Sequence, residues 1–148
     1  MDTTAKSEAF KSRNGTRLIG DKVLQIFARI AQANLRRTDL VGRLGGGEFV
    51  VVLADASIDN AYLVADRLRN AFAVAAAVID GQALHATASI GVSVIVDPSQ
   101  DLARLMTLAD QALYLAKARG RNRVEVAPFG IDLGEDVHGA AVPQESAA

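Results

Sequence analysis

The chain carries few of the side chains that usually do chemistry. It has no cysteine, which excludes disulfides, thiolate metal sites and cysteine nucleophiles. Its two histidines, His85 and His138, have no partners at ligand spacing, so a histidine-rich metal site is excluded. His85 reads as a packing or capping residue ahead of a strand, and His138 as part of a tail. What remains is a handful of carboxylates, guanidiniums and glycines in tight groups. Arg36-Arg37-Thr38-Asp39 sets a guanidinium and a carboxylate three residues apart. Taken alone, that is a surface ion pair worth ~0–1 kcal/mol. Five residues further on, Gly45-Gly46-Gly47 precedes Glu48 between two apolar runs. Glycine tolerates positive φ, so the triplet reads as a tight hairpin turn. Lys117 and Arg121 make a basic helix end, which by itself is a solvated one.

These groups need elements to hold them. Gly20-Asp21 opens a helix, with Asp21 placed as its cap. Val23, Phe27, Ile30 and Leu24, Ala31, Leu35 recur at helical spacing. Arg36 and Arg37 fall in its last turn, where cations suit the helix dipole. Leu40–Leu44 and Phe49–Leu53 flank the glycines as strands, and the unbroken run FVVVL predicts a strand buried on both faces. A second helix runs from about Ser57 to Phe72, with Ile58, Ala61, Tyr62, Ala65, Leu68 and Phe72 on its apolar face. Val74–Ile79, the turn pair Asp80-Gly81 and Leu84–Val96 follow. In the last run Ala88, Ile90, Val92, Val94 and Val96 alternate with smaller or polar residues, a period of two, until Pro98. A third helix spans about Leu102–Ala118, with Leu102, Leu105, Met106, Ala109, Leu113 and Ala116 inward and Gly120 at its C′ position. A short strand, Arg123–Val126, closes the domain. The order predicts an α/β sandwich with helices on a mostly antiparallel sheet.

Composition narrows the function classes. A chain of 148 residues, half of them hydrophobic, makes one domain with a sizeable core. A formal net charge of −1 argues against a general nucleic-acid binder, and 5% aromatics leave little for a base-stacking platform. The longest apolar stretch, Ala71–Ile79, falls far short of the ~20 residues a bilayer span needs. Met1–Lys11 lacks a signal peptide's apolar segment, so a cytoplasmic location is the default.

The motifs go further. The stretch RLGGGEFVVVL (Arg43–Leu53) resembles the signature of the GGDEF family, the diguanylate cyclases. ASIGVSV (Ala88–Val94) and ADQALYLAKARGRNRV (Ala109–Val124) resemble that family's later strand and closing helix, and RRTDLVGRL (Arg36–Leu44) leads into the glycines at its spacing. The resemblance spans residues 20–126. It implies a palm related to nucleotidyl cyclases, with an antiparallel-rich central sheet flanked by helices. It sets the domain over 20–127 after a shortened, irregular stretch over 1–19, and the Gly-, Ala- and acid-rich composition without period makes 128–148 a disordered tail.

The resemblance implies a chemistry too. Family members join two GTP molecules into cyclic di-GMP, with two domains face to face and the 3′-hydroxyl of one nucleotide attacking the α-phosphate of the other. Such a displacement requires divalent metal to neutralise phosphate charge, and magnesium requires carboxylates. The family takes them from an Asp at the end of the first strand and from the third residue of the glycine motif. Here those positions are Lys6 and Gly47. Glu8 and Glu48 are kept, but the metal site is expected to be lost, so no catalytic set is intact and Glu48 is its remnant. Magnesium would enter only if cyclase activity survives.

Other family positions match in part. Asn14 and Asp21 correspond to guanine-contacting residues, although NGTRLIGD is two residues shorter than the usual loop and lacks its Gly-His pair. Gly45, Gly46 and Gly47 belong to the nucleotide loop, and Lys117 and Arg121 to the cations that meet the triphosphate. The RxxD of the family's product-binding inhibitory site is intact at Arg36 and Asp39, with Arg67 at the offset of its second arginine. Arginine forks suit phosphate oxygens and guanine edges, and a carboxylate accepts from guanine N1 and N2. The expected ligand is therefore cyclic di-GMP, with GTP as the alternative and pairing with a second GGDEF domain, in a homodimer or otherwise, as the expected association. One element is missing from this reading: MDTTA does not look like a buried strand, so the family's first strand is expected to be absent.

Overall fold

A computed structural model describes residues 3–9, 17–95, 99 and 101–128 of the chain. The described elements run β1 (Thr3–Ala9), α1 (Arg17–Asn34), β2 (Leu40–Gly45), β3 (Glu48–Leu53), α2 (Ile58–Ala75), β4 (Val78–Ile79), β5 (Gln82–Ala83), β6 (Ala88–Val94), α3 (Leu102–Ala118) and β7 (Val124–Val126). Five strands form one sheet in the order β2-β3-β1-β6-β7, and β4-β5 is a separate hairpin. All pairings in the large sheet are antiparallel except β6 with β7. This is the antiparallel-rich α/β sandwich that the sequence predicts.

The expected absence of a first strand is corrected. Residues Thr3–Ala9 lie at the middle of the sheet, paired on one side with β3 and on the other with β6. The reason is backbone rather than side chain. Two strands with unpaired facing edges offer a double row of N–H and C=O groups, and a segment that fills it satisfies them whatever its strand propensity. The reading of 1–19 as irregular is corrected over Thr3–Ala9 and from Arg17, where α1 begins; its remaining positions lie outside the described residues.

The core is built where α1, α2 and β3 meet. Phe27 lies 4.7 Å from Phe49 with the rings tilted at 43°, and meets Phe72 edge-on at 5.4 Å. Val23, Ala31, Ala61, Ala65 and Leu68 fill the same layer. β3 is less enclosed than its apolar run predicts: Phe49, Val51 and Leu53 are buried, but the residues between them are only half-buried. β6 is the fully covered strand, buried from Ala88 to Ser93. There Gly91 is required by close approach, because a Cβ at this position would stand 2.2 Å from the Ala109 carbonyl and 2.3 Å from the Leu113 nitrogen of α3. Ser93 is tolerated inside because its hydroxyl donates to the Leu105 carbonyl at 2.8 Å.

Element ends follow local chemistry in two helices and depart from the sequence reading in the third. Ser57 caps α2 by accepting from Asn60 N–H, and Asp101 caps α3 by accepting from Arg104 N–H. The left-handed Gly120 follows α3 as predicted. In α1, however, the helix starts at Arg17, so Asp21 sits one turn inside it and is exposed rather than capping. The same helix ends at Asn34, so Arg36 and Arg37 lie beyond its last turn. Asp80 and Gly81 both take positive φ, the pairing that a two-residue hairpin needs. Lys22 of α1 donates to the Asp80 carboxylate there. His85 is exposed at φ 49°, not packed. The tail reading beyond Pro128, with His138, lies outside the described residues.

Candidate functional site

The strand register sorts the singled-out residues to two ends of the sheet. At one end Glu48, Glu8 and Ser89 are Cα partners across β3, β1 and β6. At the opposite end Leu40 faces Val52 and Thr3 faces Leu53 and Val94. The β2–β3 hairpin joins the two ends, with its turn at the first and its open side at the second.

The first end holds the glycine turn. Gly45 and Gly46 take φ of 144° and 51°, the freedom the sequence reading gave them. Arg43 stabilises the turn by donating from Nε to the Gly46 carbonyl at 2.9 Å. Gly47 and Glu48 are half-buried behind it. Asp21, early in α1, rims a groove of about 450 Å³ between α1 and β2 that also involves Gln25, Gln32, Gly42, Arg43 and Phe49. The loop after α3 reaches this end as well, since Asn122 N–H donates to the Ser89 hydroxyl at 3.2 Å. It carries Arg121, with Lys117 in the last turn of α3 before it. Asn14 lies outside the described residues.

The donor set at this end does not suit a divalent metal. A glycine has no side-chain oxygen, and the backbone register places Lys6, not a carboxylate, two residues from Glu8 on β1. Among the described residues no group of three or more histidines or acids is positioned to hold a metal ion.

The second end is built around Asp39. Its carboxylate accepts from Arg36 N–H at 2.8 Å and from Ala54 N–H at 3.3 Å. Asp39 N–H in turn donates to the Arg36 carbonyl at 3.0 Å. The link between Arg36 and Asp39 is thus a backbone clasp, and it fastens the start of β2 to the residue after β3. The Arg36 side chain remains exposed. Arg67 of α2 donates to the Asn34 carbonyl at 2.9 Å, closing the C-terminus of α1 two residues before Arg36. The hollow between Arg36, Asp39, Asn60 and Val64 holds only about 20 Å³, so a ligand there would lie on the surface rather than in a cavity. Arg67 lines a different, apolar groove with Leu63 and Val74.

Sequence reasoning missed a third group. Arg69 donates to Asp66, Asn70 and Asn122 at 2.8–2.9 Å. No spacing pattern could join Arg69 to a residue 53 positions away.

Fold and site together define a domain of the cyclic di-GMP signalling class. The chain belongs to the diguanylate cyclase GGDEF-domain family: the family described as "Diguanylate cyclase, GGDEF domain" matches residues 7–123. It is 40% identical over 110 residues to diguanylate cyclase DgcP of Pseudomonas aeruginosa, a stretch that is 74% of this chain and 16% of that protein. The chain spans between 16% and 32% of the length of the first curated relatives it matches. The active GGEEF domain of a diguanylate cyclase from Vibrio cholerae has the same fold, with a TM-score of 0.79 and 28% identity over 86% of this chain and 83% of that one. The GGDEF domain of DgcB from Caulobacter crescentus, solved in complex with c-di-GMP, matches at a TM-score of 0.77 with 21% identity, covering 85% of this chain and 77% of that one. Among the described residues no helix is long and apolar enough to cross a membrane.

Proposed function

We propose that this domain is a non-catalytic GGDEF receptor that binds cyclic di-GMP through Arg36, Asp39 and Arg67. The observation that carries the reading is the contrast between the two sheet ends. Lys6 and Gly47 leave the glycine end without its metal carboxylates, while at the other end Asp39 is fixed by two backbone amides beside an exposed Arg36. A fixed carboxylate with an arginine fork beside it suits a guanine edge and a phosphate. The receptor works in the cytoplasm, where the nucleotide is made. A thermal melt tests it. At a cyclic di-GMP concentration about 100 times Kd the folded state gains about 2.7 kcal/mol, a shift of several degrees. No shift in the wild-type protein overturns the reading. With GTP and magnesium or manganese the chain forms no cyclic di-GMP; product that scales with protein and disappears in Lys117→Ala restores the cyclase reading.

A second reading is favoured by the groove beside Asp21. Its size and the Arg43 side chain that lines it beside the glycine turn suit GTP held without turnover. In that case Asn14 and Asp21 contact the base, and Lys117 and Arg121 contact the phosphates. A homodimer, or a pair with another GGDEF domain, would bring two such grooves together.

A further inference from the structure

We infer that Arg69 is a positioning residue that acts through Asn122 to present Arg121 to a phosphate group. The loop after α3 is unusual in its backbone. Gly120, Arg121 and Asn122 take φ of 113°, 63° and 46° in succession, the left-handed region that non-glycine residues avoid. Such a run persists only where its surroundings over-determine it. Arg121 N–H donates to the Ala116 carbonyl at 2.9 Å, and Asn122 N–H to the Ser89 hydroxyl at 3.2 Å. The third restraint is a side chain from another helix. Arg69 Nη1 donates to Asn122 Oδ1 at 2.8 Å, while Nε is held by Asp66 and Nη2 by Asn70, both at 2.9 Å. Asn70 also donates to Asp66 at 3.3 Å, so the fork is braced on its own helix before it reaches the loop.

The charges in the loop explain what the restraint is for. Three arginines alternate at 119, 121 and 123. Arg119 pairs with Glu125 at 2.8 Å, and Arg123 approaches the same carboxylate at 3.9 Å. Arg121, between them, is exposed and has no carboxylate partner among the described residues. The two flanking arginines share the one Glu125 carboxylate, and the central guanidinium is left for an anion, at the same end of the sheet as the glycine turn. This inference rests on the reading in which Arg121 meets the phosphates of GTP.

The test is a set of GTP titrations by calorimetry on the whole chain. Arg121→Ala and Arg69→Gln are each expected to weaken GTP about tenfold, the scale of one charge-assisted hydrogen bond. Asn122→Gly gives the same loss, because glycine accepts the left-handed backbone but removes the acceptor that Arg69 holds. The double variant Arg69→Gln/Arg121→Ala is no weaker than Arg121→Ala alone, since Arg69 acts only through Arg121. A merely structural role for Arg69 would make the two losses add, and that result overturns the inference. So does an unchanged Kd in Arg69→Gln and Asn122→Gly while Arg121→Ala loses affinity. Failure of the phosphate-site reading is distinct: wild type and Arg121→Ala then bind GTP equally, or not at all, and Arg69 has no ligand contact to position.

Discussion

The two ends of the β2–β3 hairpin are separated by one six-residue strand, yet they are built in opposite ways. At the turn, Gly45 and Gly46 take positive φ, Gly47 brings no functional side chain, and Glu48 keeps a carboxylate with Glu8 as its register partner on β1. At the open end, Asp39 is tied to Arg36 N–H and Ala54 N–H, and Arg36 is free to meet solvent. Chemistry on a phosphate needs charged oxygens around a metal, whereas recognition of a guanine and a phosphate needs one fixed carboxylate and a guanidinium. Under the proposed function the glycine end lacks the first requirement, with Lys6 and Gly47 in place of carboxylates, and the Asp39 end meets the second. On that proposal the domain gives up turnover at one end of a strand and keeps a ligand at the other, with one sheet supporting both ends.

The largest expected effect removes that shared support. Gly91→Val drives a side chain into the Ala109 carbonyl and the Leu113 backbone, and is expected to cost about 3 kcal/mol or more. A denaturant melt checks it, and cyclic di-GMP and GTP responses should fall together. Survival of one without the other would show that the two ends do not depend on a common sheet. Asp39→Ala comes next. It leaves two backbone amides without their acceptor and is expected to destabilise by about 1–2 kcal/mol, as well as weakening cyclic di-GMP. Asp39→Asn keeps one of the two oxygen acceptors but sets its NH2 against the other backbone N–H, so its melt should recover only part of the loss while its ligand affinity stays low. Equal melts for the wild type and Asp39→Ala would refute the clasp. Gly46→Ala forces a side chain into φ 51° and should cost about 1 kcal/mol, with cyclic di-GMP affinity unchanged because the turn lies at the other end. Smallest of all, Lys22→Ala removes an exposed pair with Asp80 and should shift stability by ~0–1 kcal/mol, leaving both ligand responses intact.

Much of this architecture was legible from local pattern. α3 has the bounds its periodicity gives, because Asp101 caps its start and Gly120 follows its end. The Asp80-Gly81 turn was readable for the same reason: its backbone demand is written in residue type. What escaped was set by partners distant in sequence. TTAKSEA forms the central strand because β3 and β6 leave a place for it, a condition no window of seven residues contains. Asp21 has the residue type of a cap, but the helix begins a turn earlier. The Arg36–Asp39 spacing suggested a side-chain ion pair, whereas the carboxylate is held by main-chain amides. Arg69 had no visible reason to matter until α2 and the loop after α3 were seen together.

The most direct test of the central claim is a calorimetric titration of the purified chain with cyclic di-GMP, run beside Arg36→Ala. The side chain of Arg36 is exposed, so the variant should fold as the wild type does. Wild-type binding that falls by about 1.5–3 kcal/mol in the variant, more than tenfold in Kd, is the predicted result for loss of a charged phosphate contact. Equal binding by both proteins, or none by either, would contradict the assignment of the Asp39 end as the working site of this domain.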